Sequence, residues 1–238
     1  MVEVKHVEVY SLERAKKAIE NSFNVGEIDT TIPTTKERLA QVLGSNDQPH
    51  QSHDAWLKGV LVMFDMKGNG VVMPEFQRYH FAEIVMSQST MHSMDKFMNS
   101  NYDPFTKYVL PETREIVEAC YMEYVKAKKA FEDYEENHPV GGFEVQCVEM
   151  QKEAYEERQK LKNDVYEAFE TLVHNLPRGF ELWATITTNY LELKTIVTQR
   201  FHHKNKEDWM SFVAACYEMP EFRNLCGFSD KKWDLSNW

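Results

Sequence analysis

Apolar and polar residues alternate from Val2 to Tyr10, the two-residue period of a half-buried strand. Ser11 then heads a helix running to about Ser22, with Leu12, Ala15, Ala18 and Ile19 on one face. Thr35 heads another that stops at Gly44, and the polar run at 45–54 reads as a loop. Trp56–Met66 is the most apolar stretch and reads as a strand. Lys67-Gly68-Asn69-Gly70 reads as a turn, and Val71–Met73 as the start of a return strand. Pro74 fits the first turn of a helix continuing through EFQRYHFAEIV. The segment that follows from Ser87, SQSTMHSMDKFM, is rich in hydroxyl, imidazole and thioether side chains.

From Pro111 to about Glu136 the pattern changes to long helical periodicity. Ile116, Val117, Cys120, Tyr121, Tyr124, Ala127, Phe131 and Tyr134 recur at three- and four-residue steps. The run from His138 to Gly142 breaks this helix. A second helix extends from about Phe143 to His174, with Val148, Tyr155, Leu161, Val165, Phe169 and Leu172 on one face. The pair reads as a long antiparallel helical hairpin over 111–175. Phe180–Thr188 is β-rich. Asn189–Phe201 and Lys206–Tyr217 read as helices, and the C-terminal residues as a tail pinned by Trp233 and Trp238. The architecture expected is α+β and helix-rich, a single domain over 1–238 with a small central sheet near 56–73 and 180–188.

Composition narrows the function classes. The chain has 238 residues with 42% hydrophobic and 13% aromatic side chains, which excludes a disordered protein. Lys and Arg number 27 against 38 Asp and Glu, a net charge of −11, which argues against general nucleic-acid binding. The surplus is local: residues 111–175 hold 16 acidic and 8 basic side chains, so the hairpin supplies −8. Most of the acidity is a solvated helix face, and an anion site elsewhere stays open. The N-terminus lacks an apolar signal core and no run approaches a membrane span, so the chain reads as cytoplasmic. Cys120, Cys147, Cys216 and Cys226 form no CxxC pair and no zinc spacing with His, and read as free thiols of a reducing compartment.

Standard chemical motifs are missing: there is no phosphate-cradling Gly-rich loop, no H-E-x-x-H and no G-x-S-x-G. His202-His203 are adjacent, and neighbours on a helix point about 100° apart, so an exposed basic helix end outweighs a metal site. Two segments carry candidate ligand chemistry. Arg78, His80, Ser87, Gln88, Ser89, Thr90 and His92 concentrate donors that suit a phosphate or a base edge. The plainer reading is a helix followed by a second one capped by Ser87 or Ser89. In the other segment, Asn189 opens a helix and Arg200 follows eleven residues later on the same face, so both could line one groove. The plainer reading there is a cap and a solvent-exposed Arg.

These two segments, in this order and separated by a helical insert, resemble the flavin-dependent thymidylate synthase family. Its signature reads R-H-R-x-x-S-x-N-E-x-S-x-R-Y, preceded by a His about 26 residues upstream. A later stretch has L-P, then T-x-N, then an Arg eleven residues on and a Trp. Here His53 precedes His80 by 27 residues, His80 falls on the signature His and Ser89 on its second Ser. Leu176-Pro177, Thr187 and Asn189, Arg200 and Trp209 follow in register. The likeness covers about residues 50–212 and is nearest the divergent, phage-encoded members. Tyr79 and Phe81 stand where the signature has Arg, Met86-Ser87 where it has Asn-Glu, and Met91-His92 where it has Arg-Tyr.

The resemblance implies one-carbon transfer to C5 of dUMP or a related pyrimidine deoxynucleotide. It implies FAD as cofactor, with methylene-tetrahydrofolate and NADPH as co-substrates, and a homotetramer with active sites at subunit interfaces. It assigns His53, Arg78, His80 and Asn189 to the flavin. Ser87, Gln88, Ser89, His92 and Arg200 are assigned to the nucleotide, with Ser89 and Arg200 as catalytic residues. No metal is implied. The alternatives are a catalytically inactive descendant that binds a nucleotide or a protein as a phage factor, and a helical scaffold without a ligand.

Overall fold

The computed structural model describes residues 1–36, 38, 39, 53–138 and 148–237. They fall into two compact units: Met1–Gln88 together with Glu181–Trp238, and Ser89–Phe180.

The first unit is built on a four-stranded antiparallel sheet in the order β1-β2-β4-β3. Its strands are β1 (Glu3–Tyr10), β2 (Leu61–Asn69), β3 (Glu83–Ser87) and β4 (Glu181–Asn189). The central pair is in unbroken register over nine residues, from Leu61 opposite Asn189 to Asn69 opposite Glu181. Strand alternation then sorts the side chains. Val62, Phe64 and Met66 of β2 and Ala184, Ile186 and Thr188 of β4 are buried on one face. The other face carries Met63, Asp65 and Lys67 opposite Thr187, Thr185 and Trp183.

The buried face is covered by helices that follow β4. These are α6 (Tyr190–Arg200), α7 (Lys206–Tyr217) and the short α8 (Phe222–Leu225). Phe212 of α7 meets Phe64 at 6.2 Å and Phe76 at 5.5 Å between ring centroids, and Trp209 meets Phe212 at 5.8 Å. Trp209 and Tyr190 are the largest side chains in this core. Burying each side chain of this kind stabilises the unit by roughly 1.5–3 kcal/mol. The helix α1 (Leu12–Ala18) buries Ala15, and Ile19 in the turn after it is buried as well. Trp233 packs on Phe201 and Phe228 at 5.1 and 4.9 Å, so it does pin the C-terminal segment; Trp238 lies outside the described residues.

The second unit contains α3 (Thr90–Asn99), α4 (Pro111–Asn137) and α5 (Val148–His174). Met94, Val117, Tyr121 and Leu172 form its core, with Phe97 and Phe105 against Phe180. Helices α4 and α5 touch through Tyr124 and Phe169 at 5.2 Å, and the Tyr134 hydroxyl donates to the Ala154 carbonyl. The connection on which the hairpin reading rests, residues 139–147, lies outside the described residues.

The helix-rich, small-sheet architecture agrees with the sequence pattern, and several local expectations need correction. The strand expected at 56–66 starts at Leu61, because Ala55–Gly59 forms a 3-10 turn that buries Leu57. Of the turn expected at Lys67–Gly70, residues Lys67–Asn69 are instead the end of β2, since Gly68 pairs with Leu182, and the chain turns only at Gly70. Gly68 suits that position because a Cβ there would meet Met73 Sδ at 2.7 Å. The return strand at 71–73 does not form. Asn69 Oδ1 accepts from the amides of Val71 and Val72 and launches α2 (Val72–Phe76) in its place.

That helix ends at Phe76 rather than near 85, because residues 83–87 pair with β4 as its edge strand. Ser11 sits at a helix start in a left-handed conformation, φ 61°, and its hydroxyl caps nothing. Thr35 does accept from the Arg38 amide; the rest of its expected helix lies outside the described residues. Ser89 stands at the N-cap of α3 without a side-chain cap bond, whereas Asn189 accepts from the Glu192 amide at 3.0 Å.

The two caps should therefore separate in a stability measurement. Asn189→Ala is expected to lower the unfolding free energy by about 0.5–2 kcal/mol in urea denaturation, and Ser89→Ala to change it by less than about 0.5 kcal/mol. Equal losses would contradict this assignment of caps.

Candidate functional site

The candidate ligand residues of the sequence fall into five places. The first is the outer face of the sheet. Ser87 and Gln88, at the end of β3, line a pocket of about 500 Å³ with Lys5, His6, Asp65, Met86, Trp183, Ala184 and Thr185. All four strands contribute, and both edge strands reach the pocket next to an irregularity. The β1–β2 register skips a residue between Lys5 and Glu8, and the β3–β4 register skips one between Ile84 and Met86. Such bulges re-aim side chains. Gln88 is fixed twice to Trp183, its amide donating to the Trp183 carbonyl and its Oε1 accepting from the Trp183 amide, both at 2.9 Å. The Thr185 hydroxyl and His6 both bond Asp65, and together they hold its carboxyl below the usual range.

The second place is the start of α6. Asn189 caps the helix, and the backbone amide of Phe81 donates to the Glu192 carboxylate. Burial pushes the Glu192 carboxyl up, while that amide and the nearby His80 oppose the shift. His80 is exposed and its ring stands edge-on to Phe81 at 4.8 Å. The fold thus brings both to Glu192, Asn189 to its backbone amide and His80 to the neighbourhood of its carboxylate, with Arg78 exposed two residues before His80.

Arg200 lies at the opposite end of α6, about 16 Å along the axis from Asn189 at 1.5 Å per residue. The two residues thus stand three turns apart, as their spacing implies, and the plainer alternative of a solvent-exposed Arg does not hold. Arg200 is only 12% exposed. Its Nη1 donates to Glu75 Oε2 at 3.2 Å and its Nε to the Tyr79 hydroxyl at 2.8 Å. The guanidinium also lies over the Trp209 ring at 4.7 Å, a cation–π contact. Glu75 Oε2 accepts from Trp209 Nε1 at 3.0 Å and has His203 Nε2 at 3.7 Å. Burial raises the Tyr79 phenol, with the Arg200 charge opposing it. Sequence reasoning found Arg200 and missed Glu75, its partner from α2.

Fourth, His53 is exposed and lines a cavity of about 930 Å³ with Ile19, Phe23, Arg38 and Trp56. The Trp56 indole N–H is buried with no acceptor among the described residues. Aromatic walls, an Arg and an unpaired donor fit a large flat anionic cofactor. Next to His53, Asp54 forms a 2.7 Å ion pair with the buried Lys194 of α6. Ser89 and His92 belong to the second unit, Ser89 half-buried at the start of α3 and His92 exposed in its first turn.

Among the described residues no group of three or more His, Cys, Asp or Glu side chains is placed to hold a metal, and no helix is long and apolar enough to cross a membrane. Cys120, Cys216 and Cys226 are free, and burial pushes the last two thiols up; Cys147 lies outside the described residues.

No family model and no curated protein matches the sequence. Solved structures do match the fold. The flavin-dependent thymidylate synthase ThyX from Helicobacter pylori, complexed with FAD and dUMP, aligns with a TM-score of 0.50 at 14% identity, covering 94% of this chain and 96% of that one. A second structure, thymidylate synthase X from the same organism with FAD and dUMP, aligns at TM-score 0.49 and 15% identity, covering 94% and 95%. The fold of this chain is thus similar to that of a flavin-dependent thymidylate synthase.

The Glu75–Arg200 pair makes a direct prediction. Glu75→Gln keeps the shape but removes the charge that Arg200 and Trp209 both address. It should cost roughly 1–3 kcal/mol in chemical denaturation, and an unchanged midpoint would show that the pair is not formed.

Proposed function

We propose that this protein is a flavin-dependent enzyme that transfers a one-carbon unit to C5 of a pyrimidine deoxynucleotide, dUMP to dTMP or a related modified nucleotide. The observation that carries the reading is the fold, which follows a protein solved with FAD and dUMP over 94% of this chain. The donor-lined pocket at Ser87 and Gln88 and the aromatic-walled cavity at His53 support it as two places for two ligands.

In this reading His53, with the aromatic and Arg side chains of its cavity, binds the flavin together with Arg78, His80 and Asn189. FAD supplies hydride and one-carbon chemistry when bound, with methylene-tetrahydrofolate and NADPH as co-substrates. Ser87, Gln88, Ser89 and His92 orient the nucleotide. Arg200 serves the pyrimidine from the rim of its ion pair with Glu75. The working form is a homotetramer in the cytoplasm, of phage origin, with the helices of the second unit forming a hairpin.

One observation favours a second reading. Arg200 is engaged by Glu75 and Tyr79, so its charge is already met inside the chain. A descendant without catalysis, binding a nucleotide or a protein partner, has no need to release it.

Ligand-induced thermal shifts separate the readings. The enzyme reading predicts yellow protein, or a higher Tm with added FAD, and a further rise with dUMP. Colourless protein with no FAD shift overturns it; a shift with dUMP alone selects the second reading.

A further inference from the structure

The outer sheet face holds a constructed imidazole that the proposed function leaves unused. His6 sits in the β1 bulge with φ 50°, a left-handed conformation uncommon outside glycine. Strained residues of this kind persist where the surroundings hold them, and they concentrate at ligand sites. Here the surroundings are specific. His6 Nδ1 lies 2.7 Å from Asp65 Oδ2, and the Thr185 hydroxyl donates to Asp65 Oδ1 at 2.6 Å. A carboxylate only accepts, so Nδ1 carries the proton. The Thr185–Asp65–His6 chain therefore fixes both tautomer and ring orientation and leaves Nε2 for an outside partner, as carboxylate–imidazole pairs do at many sites. The His6 side chain is 77% exposed on the wall of the 500 Å³ pocket.

The rest of the lining decides what that partner is. Asp65 is the only acid among the lining residues, and its two oxygens are taken by His6 and Thr185. Gln88 spends its Oε1 on the Trp183 amide, which leaves its NH₂ as the group to offer a ligand. Ser87 adds a hydroxyl. Lys5 adds an ammonium, tied to Glu3 only through an ion pair at 3.2 Å in which both side chains are about half exposed. Pairs of this type are weak and exchange readily. The remaining charges nearby are Lys67, paired with Glu3 and Glu181. The lining thus offers donors in excess of acceptors, beside the flat indole of Trp183.

We infer that this face is a phosphate-monoester site, in which the Lys5 ammonium and the Ser87 and Gln88 donors bind the phosphoryl oxygens and the P–O–H of the monoanionic ester donates to Nε2 of the His6 imidazole held by Asp65. The site shares Ser87 and Gln88 with the proposed nucleotide site, and it rests on that reading only for the choice of dUMP as the ester. His6 is a ligand-binding residue here and Asp65 a positioning residue acting through it.

The test uses the full chain with three probes: dUMP, inorganic phosphate and deoxyuridine. Calorimetric titration should show dUMP binding, deoxyuridine at least tenfold weaker, and at least tenfold weaker dUMP binding in His6→Gln and in Asp65→Asn. In the unaltered protein, dUMP or phosphate should protect His6 from diethyl pyrocarbonate, read by peptide mass spectrometry, a result that holds even if a variant fails to fold. Wild-type dUMP affinity in both variants, no binding of either phosphate compound, or an unprotected His6 each overturns the site. An FAD thermal shift that survives these results fails only this inference. A missing FAD shift with His6 protected fails only the flavin reading.

Discussion

The nine-residue ladder between β2 and β4 is the constraint on which the first unit depends. Because side chains alternate along a strand, one register assigns every residue of both strands to a face. Phe64, Met66, Ala184 and Ile186 are sent inward together, where α6 and α7 close over them through Phe212, Trp209 and Tyr190. The same register sends Asp65 and Thr185 outward as direct partners and sets Trp183 opposite Lys67. A slip by one residue would bury Asp65 and expose Phe64. Core and outer polar face are two consequences of one pairing, so neither can be altered alone.

The chemistry follows the same division. On the outer face the polar groups are tied to each other but still meet solvent, as a binding surface requires. At the far end of α6, Arg200 is instead drawn into the core boundary by Glu75, Tyr79 and Trp209. Its cost of desolvation is offset inside the chain, which makes it a structural cation first. Asn189, at the other end, is bound to the helix it starts. The two residues whose spacing suggested one groove are thus each explained by local bonds.

Long, periodic elements were legible in the sequence because their signal is local. Pro111 at a helix start, the β-rich Phe180–Thr188 run, which forms β4 one residue further on, and the Asn189 cap all behave as their patterns imply. The failures share a different cause. Residues 83–87 follow a helix-compatible run, and only pairing with β4, a hundred residues later, makes them a strand. Lys67–Gly70 has turn composition, yet the ladder carries β2 as far as Asn69. The His6 site was invisible because its parts are distant: Asp65 lies 59 residues away and Thr185 a further 120. Nor does a strand pattern disclose a bulge. Among the residues proposed from the resemblance, His80 and Asn189 converge on Glu192, while Arg200 was recognisable only as a type and a spacing, not by its partner Glu75.

The claim that the outward face of this sheet is where a nucleotide phosphate binds is tested most directly by a crystal structure grown with dUMP. The account predicts the phosphate against His6, Lys5 and Ser87, with the His6–Asp65 bond intact. A dUMP molecule bound elsewhere, with this face empty, would contradict it.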